Sequence, residues 1–194
     1  AVTIEAPGDG GNEPLRLNGA DYVQFEQMTL KATAGSGDAR AAYLKSQVDS
    51  VGFSHMQFVV RSSNNSNGVV GLHAESNTIT TDLRVDSSRF GASGTGLNLR
   101  GDNNTPSTGT KVRGNVFGDG QGAPQEWGVY LEHHDGALVT RNIVDGPGNR
   151  GIELDDSNGE FAVTKNDLEV SGRGIELDDS DGTSSSATGL VANN

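Results

Sequence analysis

Arg150–Gly159 reads RGIELDDSNG, and the same ten residues return at Arg173–Gly182 as RGIELDDSDG, 23 positions on, with Asn158 answered by Asp181. A repeat of that length is the signature of a solenoid, in which one supersecondary unit buries its apolar face against the next. Anchored on the leucine of Ile-Glu-Leu, the period runs through the chain. Leu17, Leu44, Leu72, Leu99, Leu131, Leu154 and Leu177 fill one position, at spacings of 27, 28, 27, 32, 23 and 23. Two residues earlier stand Leu15, Ala42, Val70, Leu97, Val129, Ile152 and Ile175, the period-2 pattern of a strand with one buried face.

A second strand follows in each repeat, with apolar pairs Phe25 and Leu30, Phe53 and Phe58, Val85 and Phe90, Val112 and Phe117, Val139 and Val144, and Val163 and Leu168; Val191 opens a further copy. Between the members of each pair runs the series Met28, Met56, Ser88, Asn115, Asn142, Asn166 and Asn194. Stacked asparagine amides bond to the rung above and the rung below. About seven turns of 23 to 32 residues, each with about three short strands, predict an all-β fold: a right-handed parallel β-helix forming a single domain over residues 1–194. The 28 glycines suit a chain that turns corners often. Leucine-rich repeats and calcium-binding nonapeptides are excluded, because L-x-x-L-x-L and G-G-x-G-x-D runs are absent. The uneven insertions at Gly101–Thr110 and Gly118–Gln125 favour the right-handed form, which tolerates long corner loops.

The turns GVYLEHHDGALVTRNIV and GIELDDSNGEFAVTKNDL resemble the repeats of right-handed parallel β-helix proteins of the pectin-lyase-like superfamily, over essentially the whole chain. LRLNGADYVQFEQMTLKA resembles an early turn in large secreted surface proteins of bacteria, some exported by the type IX route. The resemblance implies the fold and a secreted or cell-surface location. It implies no one activity, because such turns occur in polysaccharide lyases, hydrolases, epimerases, phage tailspikes and adhesins. Glu132–Asp135 is similar to the Asp-Pro-His-Asp tetrad of alginate epimerases but lacks the proline, so no role is carried over.

The formal charge is -12, and residues 150–182 alone hold ten acids against three bases. Nucleic acid is excluded as a partner, since phosphate binding needs the opposite sign. With no cysteine there are no disulfides and no thiol chemistry. No hydrophobic run is long enough for a membrane span. Ala1–Ile4 reads as the inside of a strand and Asn194 falls within a repeat, so the expectation is a fragment of a longer solenoid, or end-to-end self-association through uncapped ends.

Alternation turns Glu153 and Asp155 outward, with Asp156 starting the corner, and the next turn repeats them as Glu176, Asp178 and Asp179. Like charges about 4.8 Å apart repel by roughly 1 kcal/mol in water and roughly 3 to 4 kcal/mol at an effective dielectric near 20. Three arrangements relieve this: a solvated acidic face, a calcium ion held by carboxylates of adjacent turns, or pairing with Arg150 and Arg173. One turn earlier, Arg100, Trp127, Tyr130, Glu132 and His133 form a strip of aromatic and charged groups, the usual ingredients of a carbohydrate-binding surface. Its ligand would be a polysaccharide or cell-surface glycan; a packed corner residue is the other reading of Trp127. His133-His134-Asp135 also invites a transition-metal site, although adjacent histidines on an extended segment point apart. His55 and His73 read as surface residues, His73 in the column of Lys45 and Arg100.

The favoured function is a non-catalytic adhesin or stalk segment, with no catalytic residue assigned. The rival is a calcium-dependent polysaccharide lyase, with His133 or Arg100 as base and Asp155 and Asp178 holding calcium. A hydrolase would use Glu132 and Asp155 as its carboxylate pair.

Overall fold

A computed structural model describes residues 2–7, 13–34, 37–62, 68–92, 94–118, 126–146, 148–180 and 189–194. Among them are 25 strands and no helix, arranged in four sheets. Face 1 stacks Leu15–Asn18, Ala39–Lys45, Val69–Ala74, Thr95–Arg100, Trp127–Glu132, Arg150–Asp155 and Arg173–Asp178. Face 2 has four short strands, Gln47–Asp49, Ile79–Thr81, Ser107–Thr108 and His134–Asp135. Face 3 runs from Gln24–Glu26 through Gly52–Ser54, Arg84–Asp86, Lys111–Arg113, Leu138–Thr140 and Ala162–Thr164 to Leu190–Ala192. Face 4 runs from Val2–Pro7 through Met28–Ala34, Gln57–Ser62, Arg89–Ala92, Val116–Phe117 and Ile143–Asp145 to Asp167–Glu169. Every pairing between these strands is parallel. The chain is a parallel β-solenoid of about six turns, seven strands bounding six intervals on three of its faces.

The second strand of each repeat is two strands on different faces, because the chain bends between the paired apolar positions. At that bend one residue adopts positive φ: Gln27, His55, Ser87, Gly114, Arg141, Lys165 and Asn193. Its N–H still reaches the next rung, as in His55 to Asp86 O (3.1 Å) and Arg141 to Thr164 O (3.1 Å). The following residue points inward and forms the ladder foreseen from sequence. Asn142 Oδ1 accepts the backbone N–H of Asn115 at 3.0 Å, and Asn142 Nδ2 donates to Val112 O at 3.0 Å. Asn115, Asn166 and Asn194 repeat the arrangement, and Ser88 continues it to the Met56 N–H. A second ladder lines face 2 and its corner, where Ser107, Ser157 and Ser180 hydroxyls accept the N–H groups of Thr80, His134 and Ser157.

Two further corner columns use the same left-handed device: Gly19, Ser46, His133, Asp156 and Asp179 after face 1, and Tyr22, Ser50, Asp82, Gly109, Gly136 and Gly159 before face 3. In all, fourteen described residues other than glycine take positive φ. Such a backbone disfavours most side chains, so the ladder bonds must hold it there.

Inside, Phe58, Phe90 and Phe117 stack with centroids 4.6 and 4.7 Å apart, close to the rung spacing of about 4.8 Å. Face 1 makes room for them with the column Gly71, Gly96, Gly128 and Gly151. A Cβ on Gly71 would stand 2.7 Å from the Phe90 ring and 2.6 Å from Gly96 O, and one on Gly96 would strike the Phe117 ring.

The leucine column needs one correction. Leu44 pairs with Ala74, and Leu72 with Ala42 and Leu97, so the third repeat is shifted by two residues from the alignment by leucines. A two-residue slip keeps alternate side chains on one face, which is why the inward assignments survive it except at Val70, which pairs with Arg40 and Thr95 in an outward column. The insertion Gly101–Thr110 is not a loop over its whole length: Asp102 Oδ1 caps the Asn104 and Thr105 N–H groups, and Ser107–Thr108 joins face 2. Of the other insertion, Gly118–Gln125, residues 119–125 lie outside the described residues.

Asn142→Ala removes the partners of two buried backbone groups and is expected to lower the unfolding free energy by about 3 kcal/mol or more, read by chemical denaturation against the exposed control Ser46→Ala. Gly71→Ala should cost about 1 to 3 kcal/mol through overpacking. Gly174→Ala should change little, since its Cβ would meet Leu168 at an ordinary 3.8 Å.

Candidate functional site

Face 1 carries its apolar residues inward and three outward columns on its other surface. The corrected register reads Arg16, Tyr43, His73, Asn98, Tyr130, Glu153, Glu176 for one column and Asn18, Lys45, Glu75, Arg100, Glu132, Asp155, Asp178 for the next. The third holds Arg40, Val70, Thr95, Trp127, Arg150 and Arg173. Residues three apart share this surface, as the 5.2 Å contact of the Trp127 and Tyr130 rings shows. The intervening glycine resets the alternation.

His73 therefore stands with Tyr43 and Asn98, not with Lys45 and Arg100, and it is no open surface residue. Its ring stacks on Tyr43 at 5.6 Å and 9°. Burial, with Arg40 and Arg100 nearby, pushes its pKa down to about 3. Glu75 takes the place between Lys45 and Arg100, so the column alternates in sign before it becomes acidic. Lys45 pairs with Glu75 at 3.2 Å, and Arg100 with Glu132 at 2.7 Å. The Tyr43 hydroxyl donates to Glu75, which holds that carboxyl below its usual range; burial and the same bond raise Tyr43 to about 12.

The carbohydrate candidates Arg100, Trp127, Tyr130, Glu132 and His133 come together, but largely in each other's service. Tyr130 is only 6% exposed, its hydroxyl donates to Asp155 Oδ2 at 2.7 Å, and Arg100 lies over its ring at 5.8 Å. Trp127 is half-buried; its indole N–H donates to Glu153, and Arg150 lies over its ring at 5.4 Å. His133 sits at the corner, its ring nitrogens 4.0 Å from Glu132 and 3.9 Å from Asp156.

The six ladder acids fall into different environments. Glu153 faces outward as alternation requires, yet it is 6% exposed, covered by Trp127 and Arg150. Burial raises its pKa against the pull of the Trp127 bond. Glu176 is gripped by Arg150 and Arg173, and the Arg173 hydrogen bond holds its carboxyl below the usual range. Asp155 accepts from Tyr130, Asp178 stacks on it, and Asp156 and Asp179 occupy the exposed corner. Among the described residues no three His, Asp or Glu side chains group as metal ligands. The His133–His134 pair splits as its extended backbone demands: His134 is 1% exposed in the interior, its Nδ1 2.9 Å from Thr110 Oγ1.

Reasoning from the sequence missed Tyr43 and Glu75. The signal for Glu75 was there, since sign alternation along the column fits Glu75 between Lys45 and Arg100, and alignment by leucines does not. Fold and strip together define a parallel β-solenoid with a charge-paired outer face. The chain matches no protein-family model, no curated protein and no solved structure.

Burial pushes the His134 pKa from 6.5 to about 3. A base whose folded pKa is depressed contributes its full stability above pH 6.5, its unfolded value, and that contribution declines as pH falls toward the folded value. Between pH 6.5 and about pH 5, unfolding free energy should fall by about 1 kcal/mol per pH unit for this histidine, the slope steepening as pH drops. Denaturation of wild type and His134→Asn at both pH values checks this: the variant is less stable at neutral pH, and the difference narrows on acidification.

Proposed function

We propose that the chain is a non-catalytic segment of a secreted or cell-surface protein, a pectin-lyase-like right-handed β-helix serving as a rigid spacer of the adhesin-stalk kind. The observation behind this reading is that the charged and aromatic groups from Arg100 to Glu176 on the outer strip of face 1 are taken up largely by one another. Arg150 bonds Glu153 and Glu176, Arg173 bonds Glu176, Arg100 bonds Glu132, and the Trp127 and Tyr130 polar atoms are taken by Glu153 and Asp155. Six intervals of about 4.8 Å make a rod about 29 Å long, stiffened on its outer face by these pairs.

A calcium-dependent lyase on the same face would need a free base beside a group that neutralises the substrate carboxylate. Arg100 is engaged by Glu132 and Tyr130, and His133 stands at a corner between two carboxylates. Both facts favour the spacer. So does the arginine clasp, which relieves like-charge stacking at Glu153 and Glu176 with no need of an ion; Asp155 and Asp178 stay solvated.

Thermal melts in chelator and in millimolar calcium test the ladder, and incubation with acidic polysaccharides tests catalysis. Calcium should leave the melting temperature unchanged, Asp178→Asn should raise it in chelator by removing repulsion, and no unsaturated uronate should form. A rise of several degrees with calcium that Asp178→Asn abolishes would put a metal in the ladder, and eliminative cleavage of any polymer would end the non-catalytic reading.

A further inference from the structure

We infer that the hollow beside Tyr22 is a binding subsite for one neutral hexopyranose unit of a glycan. It lies at the corner before face 3, away from the strip that carries Trp127, and it stands independently of the spacer reading. Tyr22 is 79% exposed and has φ 56°. The rungs that follow fill the same corner position with Ser50, Asp82, Gly109, Gly136 and Gly159. Tyr22 is the largest side chain of that column, and its ring stands in solvent. An aromatic ring held in solvent on a fixed corner is free to stack on a ligand.

The space next to the ring has the chemistry of a sugar site. A hollow of about 260 Å³ is lined by Tyr22, Gln24, Ser50, Asp82 and Arg84. Two glycines make room for side chains that line it. The Gln24 amide lies across Gly52, where any side chain would collide with it, and a Cβ on Gly109 would stand 2.7 Å from Asp82 Oδ1. Asp82 and Arg84 are two residues apart and opposite in charge, yet they form no ion pair with each other or with any other described residue. A carboxylate and a guanidinium are thus left unpaired on one wall, with a tyrosine ring at its side.

That combination suits a pyranose. The apolar face of the sugar lies on Tyr22, one hydroxyl of a vicinal pair donates to Asp82, and another accepts from Arg84. The Gln24 amide can do either. The sugar is neutral because Asp82 and the net charge of -12 repel a uronate. The hollow is smaller than the roughly 300 to 1,000 Å³ of drug-sized pockets, which fits a single ring better than an oligosaccharide.

The test uses the isotope-labelled full chain and titrates methyl glucoside, methyl galactoside, methyl mannoside and methyl glucuronide, followed by backbone amide shifts. At least one neutral hexoside should saturate shifts at Tyr22, Ser50 and Asp82, and the glucuronide should bind more weakly. Tyr22→Asn keeps a residue that tolerates positive φ, so it should keep or raise the melting temperature while weakening binding by about tenfold. Asp82→Asn, at an exposed position, is the second variant and should weaken binding too. The proposal is overturned if none of the neutral hexosides shifts these amides at millimolar concentration, if both variants bind as wild type does, or if the shifts map to Trp127 and Tyr130 instead. Only the last outcome, or calcium-dependent binding, would also reopen the function of face 1.

Discussion

A solenoid lives or dies at its corners. Along a flat face the parallel ladder satisfies the backbone automatically, but each bend threatens to bury N–H and C=O groups that have no partner, at a cost comparable to a lost hydrogen bond each. At three of its four corners this chain meets the problem with a left-handed residue, whose N–H keeps pointing along the rod to the next rung. An inward asparagine or hydroxyl beside it collects the groups that the bend releases. Faces, core and outer strip all inherit their alignment from that arrangement. Three inner columns of side chains can stack only because three corners repeat in phase.

The outer face of the Trp127 sheet follows from the same alignment. Side chains one rung apart are forced together whether or not their charges agree, so composition along a column becomes an electrostatic sequence in space. Where signs alternate, as from Lys45 through Glu132, neighbours pair directly. Where they do not, residues of the adjacent column intervene: Arg150 and Arg173 reach Glu153 and Glu176, and Tyr130 reaches Asp155. Burial of Glu153 beneath Trp127 and Arg150 is a product of that cross-column bonding, which no reading of a single column contains.

The inward columns and the asparagine ladder were legible in the sequence because both depend on residue type at fixed spacing, and a slip of two residues at Leu72 turns only Val70 from an inward to an outward column. The register itself was not legible there, since Leu72 and Ala74 both point inward and the longer side chain attracts the alignment. The split of each second strand into two faces was hidden for a different reason. Gln27, His55, Ser87, Arg141 and Lys165 turn the corner in a conformation for which glycine or asparagine is the usual marker. In the candidate site, alternation told correctly which residues point outward, whereas exposure was misjudged for Tyr130, Glu153 and His73. Outward side chains on a solenoid face can be long enough to roof one another.

The phenylalanine column gives the rod a mechanical character. Its rings repeat at 4.6 and 4.7 Å, almost the spacing that the backbone ladder requires. Two unlike materials, stacked rings and polar ladders, are thus laid down with one pitch along the same axis. A pull along the axis strains both at once, so neither can relax by sharing load unevenly with the other. The result is a short laminate, stiff in extension, whose weakest planes are the gaps between rungs.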